Sequence, residues 1–537
     1  MQSKTLVIDN FRGSNTMYQF GDINSGRSYV QTVSGQNPFV KPGQLTWNNA
    51  PVQIDPDGVV ITDLIMAQKE RVESGILFVY AIGHTGRVYK IQVNDPNTYN
   101  PDYDNAALLT TIVINSPTFT SGGFIDFFGA TEKIYLSHDQ GLTTLNFDGT
   151  GEAFVGILGS WTQDVPKPLK QFVGKLYIGN GPNIAEVDST ETVVSYAKLS
   201  PGFPDNTQVR DIDVSPEGTY LEIVVSRLPT EDMTSSTQDT TTTASSDSYI
   251  FKWNGTDIGY TAFTTFPSFS LTANTLFQNY QYTFGTDQFG TAVFDPYEKF
   301  MTIPEGPSPG PNAVTSTGNM LNFMLPIYFG GVLEADFICW GHQDFEVGNP
   351  LGFWDLFFIN AIEPETDVVR IPSILPVSNT GLGASSNGYP SNVFGTSKIY
   401  FSSLETSDAP STAYRFYRWN PIVTPDVPAS NVLIDAIYQT QVQMFSKKIS
   451  IDQVRVYGEP WVADNAFEIN LIGSSGDPMV GGTFTFTAGS NLTIGDDFAW
   501  WVPDTAPTYC IGVSVVNKGS ANHVINKIEL DYSFAGI

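Results

Sequence analysis

Two aspartates stand in sequence contexts that could support acid–base or nucleophilic chemistry. Asp95 lies in the stretch Asn94-Asp95-Pro96-Asn97, and Asp211 follows Arg210. A pair of carboxylates flanking a glycosidic bond, one acting as acid and the other as base or nucleophile, is the machinery of most glycoside hydrolases. Hydrolysis of a glycan is therefore the enzymatic reaction to consider first.

The residues around these aspartates depart from the motifs of fructan-cleaving glycosidases, which have an architecture that resembles the one inferred below, a propeller followed by a sandwich. That family places its nucleophile in Trp-Met-Asn-Asp-Pro-Asn-Gly, and here Thr98 replaces the final glycine. Ile212 stands where the family's Arg-Asp-Pro motif has proline, and the Glu-Cys acid motif is missing. A segment such as 94–100 is typical of a turn. We therefore expect that the protein is not an enzyme.

Histidine and cysteine are too scarce for most other catalytic or metal-binding sites. The chain has 4 histidines and 2 cysteines among 537 residues, and they form no His-x-x-x-His or Cys-x-x-Cys pair. Walker, EF-hand and Gly-x-Ser-x-Gly motifs are also missing. We therefore predict no catalytic residue, no cofactor and no metal.

Acidic loops leave one question about metals open. Carboxylate oxygens are ligands that Ca²⁺ prefers, but no cage spacing is present, and acidic loops are commonly just solvated. The groups concerned are Asp95 with Asp102 and Asp104, Asp211 with Asp213, and Asp496 with Asp497.

Two adjacent tryptophans are the best candidates for contact with a partner or ligand. Trp500 and Trp501 lie in a predicted strand, and side chains alternate across a strand, so one of the two rings must face outwards. An exposed Trp is favoured at protein interfaces and can stack on a sugar ring. We identify both as candidate interface or glycan-stacking residues.

The charge balance limits the partners. Lys+Arg number 26 and Asp+Glu number 55, which gives a formal net charge of −29. Gripping nucleic acid needs clustered cations, so the surface as a whole is not expected to bind it. The N-terminus lacks the apolar segment of a signal peptide, and the most apolar run, 352–362, is too short to span a membrane. We expect synthesis in a cytoplasm and no membrane insertion.

A short apolar β run, a turn centred on Gly or Asn, and a second β run recur along the chain. The clearest copies are 75–91, 132–145 and 174–187, and the repeat length is close to that of a propeller blade. Nearly continuous apolar strands such as 76–82 indicate cover on both faces. We predict an all-β fold with a β-propeller of about seven blades over 59–420, with stacked β-sandwiches as the alternative.

From about residue 431 the pattern changes to strands that alternate apolar and charged residues, as in 451–457. Such alternation is typical of half-exposed strands, and frequent turns suit a jelly-roll-like β-sandwich. We place this sandwich at 431–537. Residues 1–58 are expected to form an N-terminal arm or a segment that closes the propeller ring.

The N-terminal residues resemble the start of virion proteins from tailed bacteriophages. Asp9-Asn10-Phe11-Arg12-Gly13 and the Gly-rich stretch at 21–26 are followed by Pro42-Gly43-Gln44-Leu45. This order is similar to that in the propeller-containing nozzle and tail-hub proteins of short-tailed phages. The resemblance implies a multi-copy structural part of a tail, neck or nozzle, located in the virion. It carries over no catalytic residue.

Composition and resemblance together predict a structural component of a tailed-virus particle. Its partners would be copies of itself and neighbouring virion proteins, and an acidic surface would let DNA in transit pass without adhesion. A glycan- or receptor-binding adhesin that attaches to a host-surface glycan is the first alternative. A propeller-plus-sandwich glycoside hydrolase is the second.

Overall fold

The computed structural model contains 39 strands and no helix among the residues that it describes. These residues are 4–9, 11, 44–47, 65–93, 104–119, 123–205, 207–227, 248–266, 436–521 and 523–535, together with the backbone of the other strands bounded below. The N-terminal strands are β1 (Lys4–Ile8), β2 (Ser14–Asn15), β3 (Tyr29–Ser34) and β4 (Val52–Gln53). No helix that could cross a membrane occurs in the described part of the chain.

Seven antiparallel sheets of four or five strands follow one another along the chain. The first has β5 (Ile65–Glu73), β6 (Ile76–Gly83), β7 (Arg87–Val93) and β8 (Asp104–Thr111). The second has β9 (Phe124–Phe128), β10 (Lys133–His138), β11 (Gly141–Leu145) and β12 (Ala153–Phe154). The third has β13 (Leu169–Phe172), β14 (Lys175–Gly179), β15 (Ile184–Val187) and β16 (Val193–Ser195). The fourth has β17 (Thr207–Val214), β18 (Leu221–Arg227), β19 (Ser248–Trp253) and β20 (Ala262–Phe266).

The remaining three sheets have the same antiparallel construction. The fifth has β21 (Ser270–Phe277), β22 (Tyr280–Asp287), β23 (Gly290–Phe294) and β24 (Phe300–Thr302). The sixth has β25 (Met324–Ile327), β26 (Phe337–His342), β27 (Asp355–Asn360) and β28 (Val369–Ile371). The seventh has β29 (Leu382–Ser385), β30 (Tyr389–Ser391), β31 (Lys398–Glu405) and β32 (Ala413–Trp419).

The seven sheets close into a ring. Strands β5, β9, β13, β17, β21, β25 and β30 each contact the next, and β30 contacts β5. These are therefore the innermost strands of a seven-bladed β-propeller. The predicted propeller of about seven blades is confirmed, and the ring excludes the alternative of stacked sandwiches.

The seventh blade takes its outermost strand from the N-terminal region. Strand β4 pairs with β32, with Gln53 opposite Tyr417 and Val52 opposite Arg418. The ring is thus completed by two segments from opposite ends of the propeller sequence.

Turns and aromatic contacts explain why the repeats fold as blades. Gly86 has a φ of +83°, which a glycine adopts without a steric penalty, and it closes the hairpin between β6 and β7 by donating its N–H to Gly83 O at 2.9 Å. Between blades, the Tyr80 ring packs against Phe127 of the second blade with ring centroids 5.6 Å apart. Tyr177 packs in the same way against Trp253 of the fourth blade at 5.2 Å. The first and third blades therefore each bury an aromatic side chain against the next blade.

Seven C-terminal strands and the N-terminal strands β1, β2 and β3 form a ten-stranded sheet that folds into two layers. The C-terminal strands are bounded as follows. They are β33 (Ile437–Thr440), β34 (Gln443–Gly458), β35 (Ala466–Ile472), β36 (Pro478–Thr487), β37 (Phe498–Trp501), β38 (Thr508–Asn517) and β39 (Ile525–Phe534). One layer contains β1, β39, β34 and β37, and the other contains β38, β33, β3, β2, β35 and β36. Val454 and Leu530 from the first layer meet Ile469 and Val513 from the second in one core. The C-terminal sandwich is thus present as predicted.

The N-terminal strands join both parts of the molecule. β1 pairs with β39 and β3 pairs with β33, so these two strands belong to the sandwich, whereas β4 belongs to the propeller. The domain boundaries predicted at 58/59, 420 and 431 lie outside the described residues.

Candidate functional site: the outer face of the C-terminal sandwich

The two candidate tryptophans differ in their exposure to solvent. Trp500 is 56% exposed, whereas Trp501 is 8% exposed and belongs to the sandwich core. The Trp501 ring stacks on Phe484 with ring centroids 5.5 Å apart and an interplanar angle of 15°. Of the two, Trp500 is therefore the ring that a partner or a sugar can reach.

Strand pairing places Trp500 at the end of a row of charged side chains. β37 pairs with β34, so Trp500 lies opposite Arg455, and β34 pairs with β39, so Arg455 lies opposite Glu529. Side chains at directly paired positions share one face of a sheet. This is the face that points away from the core, because Trp501, Val454 and Leu530 of the next row are all buried.

A second row runs beside the first. Phe498 lies opposite Tyr457 with ring centroids 5.1 Å apart, and Tyr457 lies opposite Lys527, whose ammonium is 4.1 Å from the tyrosine ring centroid. We refer to the two rows with the adjoining aspartate as the outer face: Phe498, Trp500, Arg455, Tyr457, Lys527, Glu529 and Asp531.

Hydrogen bonds fix the polar side chains of the outer face. Arg455 Nη2 donates to both carboxylate oxygens of Asp531, at 2.6 and 2.7 Å. Glu529 accepts hydrogen bonds from the Tyr457 hydroxyl at 3.0 Å and from Lys527 Nζ at 2.9 Å. Burial raises the pKa of Glu529, but the bonds from Lys527 and Tyr457 outweigh burial and leave its pKa below the ordinary value. Two cations and two anions thus hold one another in a neutral, preorganised array.

The aromatic side of the outer face adjoins a free sheet edge. Among the described strands, β37 pairs with β34 alone, so its second edge has no strand partner. Val502, just beyond this strand, is also exposed. Exposed rings beside fixed hydrogen-bonding groups suit contact with another protein surface or with the apolar face of a sugar.

A second polar site, which the sequence analysis missed, lies on the innermost strands of the propeller. Charged residues occupy equivalent register positions there, each opposite a residue of the second strand of its blade. We call this set the charge belt: Lys69 opposite Tyr80, Asp126 opposite Tyr135, Lys170 opposite Tyr177, and Asp211 opposite Val224. A charged residue in the first strand of successive repeats was the signal that could have revealed it.

The charges of the belt alternate in sign along the first four blades, and both of its lysines form ion pairs. Lys69 forms an ion pair with the buried Asp126, which also accepts a hydrogen bond of 3.0 Å from Gln171 Nε2. Lys170 forms an ion pair with Asp213. Burial lowers the pKa of Lys170, but Asp213, Asp211 and Asp126 together outweigh burial and raise it. Ion pairs therefore join the first blade to the second and the third blade to the fourth.

The aspartates considered for catalysis or Ca²⁺ binding are not gathered in one site. Asp95 and Asp102 lie outside the described residues, as does the side chain of Asp104. Asp211 belongs to the charge belt and accepts the Ile212 N–H at 2.9 Å, whereas Asp496 and Asp497 lie in an exposed turn of the sandwich. In the part of the chain that the structure describes, no three His, Cys, Asp or Glu side chains are grouped to hold a metal ion.

Two histidines of the described residues, His138 and His523, are buried and have structural surroundings. His138 is hydrogen-bonded to Thr143 Oγ1 at 3.0 Å, and burial lowers its pKa to about 4. Burial likewise lowers the pKa of His523 to about 4. Both rings are therefore neutral at pH 7, and neither faces solvent.

Comparisons with known proteins give remote similarities in fold. No protein-family model and no curated protein matches the sequence. The chain is similar to the Pan2 WD40 domain of Neurospora crassa, with a TM-score of 0.38 and 10% identity over 71% of this chain and 96% of that one. It is also similar to the Dos1 propeller, with a TM-score of 0.37 and 12% identity over 63% of this chain and 74% of that one. A third similar structure is a family 43 arabinoxylan arabinofuranohydrolase from Bacillus subtilis. Its TM-score is 0.29, with 11% identity over 90% of this chain and 98% of that one. Similarities this remote indicate no function.

Proposed function

We propose that the protein is a structural component of a tailed-virus particle, of the tail, neck or nozzle type, and that it assembles as multiple copies in the virion. The observation that carries the proposal is the outer face, where Trp500 is exposed beside a fixed polar array and a strand edge that no described strand pairs with. A large exposed aromatic ring is costly to leave in water and typical of a protein interface. The phage-like N-terminal segment supports the same function.

The acidity of the chain suits this role. A net charge of −29 repels DNA that moves past the surface, and repulsion prevents adhesion during transit. The same charge makes identical subunits repel one another, so apolar contacts must offset the repulsion. Trp500 offers such a contact to a neighbouring copy or to another virion protein.

We further propose that the protein has no enzymatic activity. Asp211, one of the two aspartates in a glycosidase-like context, lies beside Lys170 in the charge belt, where a carboxylate has a structural use. Asp211→Ala and Asp95→Ala should therefore leave any glycan turnover unchanged. Saccharide hydrolysis that is abolished by either substitution would favour the glycoside hydrolase instead.

Assembly is tested by the molecular mass in solution and by incorporation into particles. We expect multi-angle light scattering to report an oligomer, and Trp500→Ala to weaken association by about 2 kcal/mol if the ring is a hot spot. Val480→Ala is the matched control, because Val480 is 94% exposed but does not belong to the outer face. A wild-type protein that stays monomeric and does not co-purify with virus-like particles would contradict the proposal.

Host attachment through a glycan is the second candidate function, and the geometry of one residue pair favours it. Arg455 lies opposite Trp500, and its Nη2 donates to both carboxylate oxygens of Asp531; sugars are held by this combination of ring stacking and fixed hydrogen-bonding groups. A monomeric protein whose binding to a glycan array is lost in Trp500→Ala, but kept in Val480→Ala, would favour the adhesin over the assembly part.

A further inference from the structure

The pairing of β37 with β34 determines which of its backbone groups face the opposite edge. Gly458 N donates to Asp497 O at 2.9 Å, in the same register that places Ala499 opposite β34. In an antiparallel pair, every second residue directs its N–H and C=O to the partner strand, and the residues between direct theirs away. The backbone groups of Asp497 and Ala499 therefore face β34, whereas those of Phe498 and Trp500 face the opposite edge.

The same two residues carry exposed rings. Phe498 is 37% exposed and Trp500 is 56% exposed in the folded chain. Because they are two positions apart in one strand, both side chains lie on the same face of the sheet. The edge thus combines alternating backbone donors and acceptors with apolar rings. A β-strand of another chain matches this combination, since it supplies a row of amides, which a sugar lacks.

The spacing of Phe498 and Trp500 makes this edge complementary to itself. When two copies of β37 run antiparallel with Ala499 of each copy on a two-fold axis, Phe498 of one copy lies opposite Trp500 of the other. Both residues of such a pair direct their backbone groups into the contact, so each pair exchanges two hydrogen bonds. Their rings lie side by side on one face. An axis through residue 500 would instead require Val502, which lies beyond the end of the strand.

The charges near the edge are compatible with a second copy. The two cations and two anions of the outer face balance, so contact there avoids the repulsion expected between chains of net charge −29. Asp497 lies two residues from Ala499. In the two-fold arrangement the two Asp497 residues are therefore roughly 13 Å apart along the strands, beyond the screening length of about 10 Å in 0.1 M salt. Asp496 lies farther out.

We propose that the protein forms a two-fold symmetric dimer through β37, so that the outer layer of one sandwich continues into that of the other. The contact is isologous, because the same residues contribute from both copies. The inference rests on the proposed function, which it deepens by naming a second copy as the partner of Trp500.

A disulfide across the two-fold axis tests the register. Opposite residues that exchange no hydrogen bonds have Cα atoms about 4.5 Å apart, which a disulfide can span. Ala499→Cys should therefore form a covalent dimer with oxidised glutathione, seen in non-reducing electrophoresis. The wild type, with Cys339 and Cys510, gives the background. Val502→Cys is the matched control: Val502 is 58% exposed, but its two copies lie roughly 20 Å apart in this arrangement. Cross-linking of Val502→Cys to the same extent would overturn the proposal.

Hydrogen exchange of the wild type tests the contact without a substitution. The amides of Phe498 and Trp500 should exchange at least about tenfold more slowly in concentrated protein than in protein diluted until it dissociates. The amides of β1, at the opposite edge of the same layer, are the internal control and should exchange equally in both samples. Unchanged exchange at residues 498 and 500 would overturn the proposal, even if Ala499→Cys failed to fold.

Light scattering separates failure of this inference from failure of the proposed function. An oligomer that neither protects the β37 amides nor cross-links through Ala499→Cys would overturn the two-fold contact and leave assembly in multiple copies standing. A protein that is monomeric at every concentration would also overturn the dimer. The proposed function falls with it only if the protein is absent from virus-like particles as well.

Discussion

Trp47 donates its indole N–H to Nε2 of His523 over 2.8 Å, and both side chains are buried. The two rings meet edge to face, with centroids 5.9 Å apart. Beside them, Leu45 and Ile525 exchange both backbone hydrogen bonds, at 2.9 and 3.0 Å. A neutral histidine therefore anchors the N-terminal segment to the sandwich, since only an unprotonated Nε2 can accept the bond.

Because of this contact, the free energy of unfolding should fall as the pH is lowered. Burial lowers the pKa of His523 from 6.5 to about 4 in the folded state, so the unfolded chain binds a proton first as the pH falls. Neutral His523 therefore contributes fully to the free energy of unfolding above pH 6.5. This contribution, of up to about 3 kcal/mol, is lost as the pH falls from 6.5 to 4. Urea unfolding at pH 7 and 4.5 should show a smaller loss in His523→Gln than in the wild type. Equal losses would contradict the assignment, because His138, which titrates in the same range, is unchanged in both proteins.

The adjacent tryptophans should differ sharply in their effect on folding. Trp501→Ala removes a ring that stacks in the core and should lower the free energy of unfolding by about 3 to 5 kcal/mol. Trp500→Ala removes an exposed ring and should change it by less than about 1 kcal/mol. Chemical denaturation of the two variants measures both values, and similar losses would mean that the alternation along β37 has been misassigned.

Glu186 should be the carboxylate whose neutralisation is most costly in the third blade. Its side chain is 1% exposed and forms ion pairs with Lys175 at 2.5 Å and Lys198 at 2.8 Å. Glu186→Gln leaves both cations without this partner and should cost about 2 kcal/mol, a value reduced because the lysines are partly exposed. Glu191→Gln is the control: Glu191 is 26% exposed and pairs with Lys133 at 2.7 Å, so its loss should be under about 1 kcal/mol. Equal melting temperatures for the two variants would refute the difference.

The N-terminal strands should be indispensable to both sheet systems. Deleting residues 1–53 removes β1 to β4 and leaves β39 and β32 with unpaired edges, which promote aggregation. We expect the deletion variant to elute as aggregates in size-exclusion chromatography, whereas deleting residues 1–3 should have no such effect. A monodisperse variant with a wild-type melting temperature would show that neither edge needs its partner.

The fold could be predicted because its signals are local, whereas for the site the sequence identified the two tryptophans but not which of them is exposed. Repeated apolar runs with Gly-centred turns such as the one at Gly86 mark hairpins directly in the sequence. By contrast, the strand Phe498–Trp501 contains no polar residue, so nothing in it marks which tryptophan faces the core; the rows formed with β34 and β39 decide that. The strand β4 has only two residues, too few for any periodicity to be detected.

The charge belt was hidden for a related reason. The ion pair between Lys69 and Asp126 joins two blades, and neither residue has a sequence motif around it. Only the stacking of innermost strands brings them together. A sequence can reveal that each repeat begins with a strand, but not which charges of successive strands meet.

The pairing of β4 with β32 also determines when the propeller ring can close during biosynthesis. Val52 leaves the ribosome roughly 365 residues before its partner Arg418, and at 5 to 20 residues per second this delay is roughly 20 to 70 s. During that interval six blades can be synthesised, and β4 has no strand to pair with until β32 is made. The ring can therefore close only after Arg418 has been synthesised, and the rate of this step is governed by a contact of very large sequence separation. A holding chaperone that shields the early strands would raise the yield of closed rings more than one that acts on the completed chain.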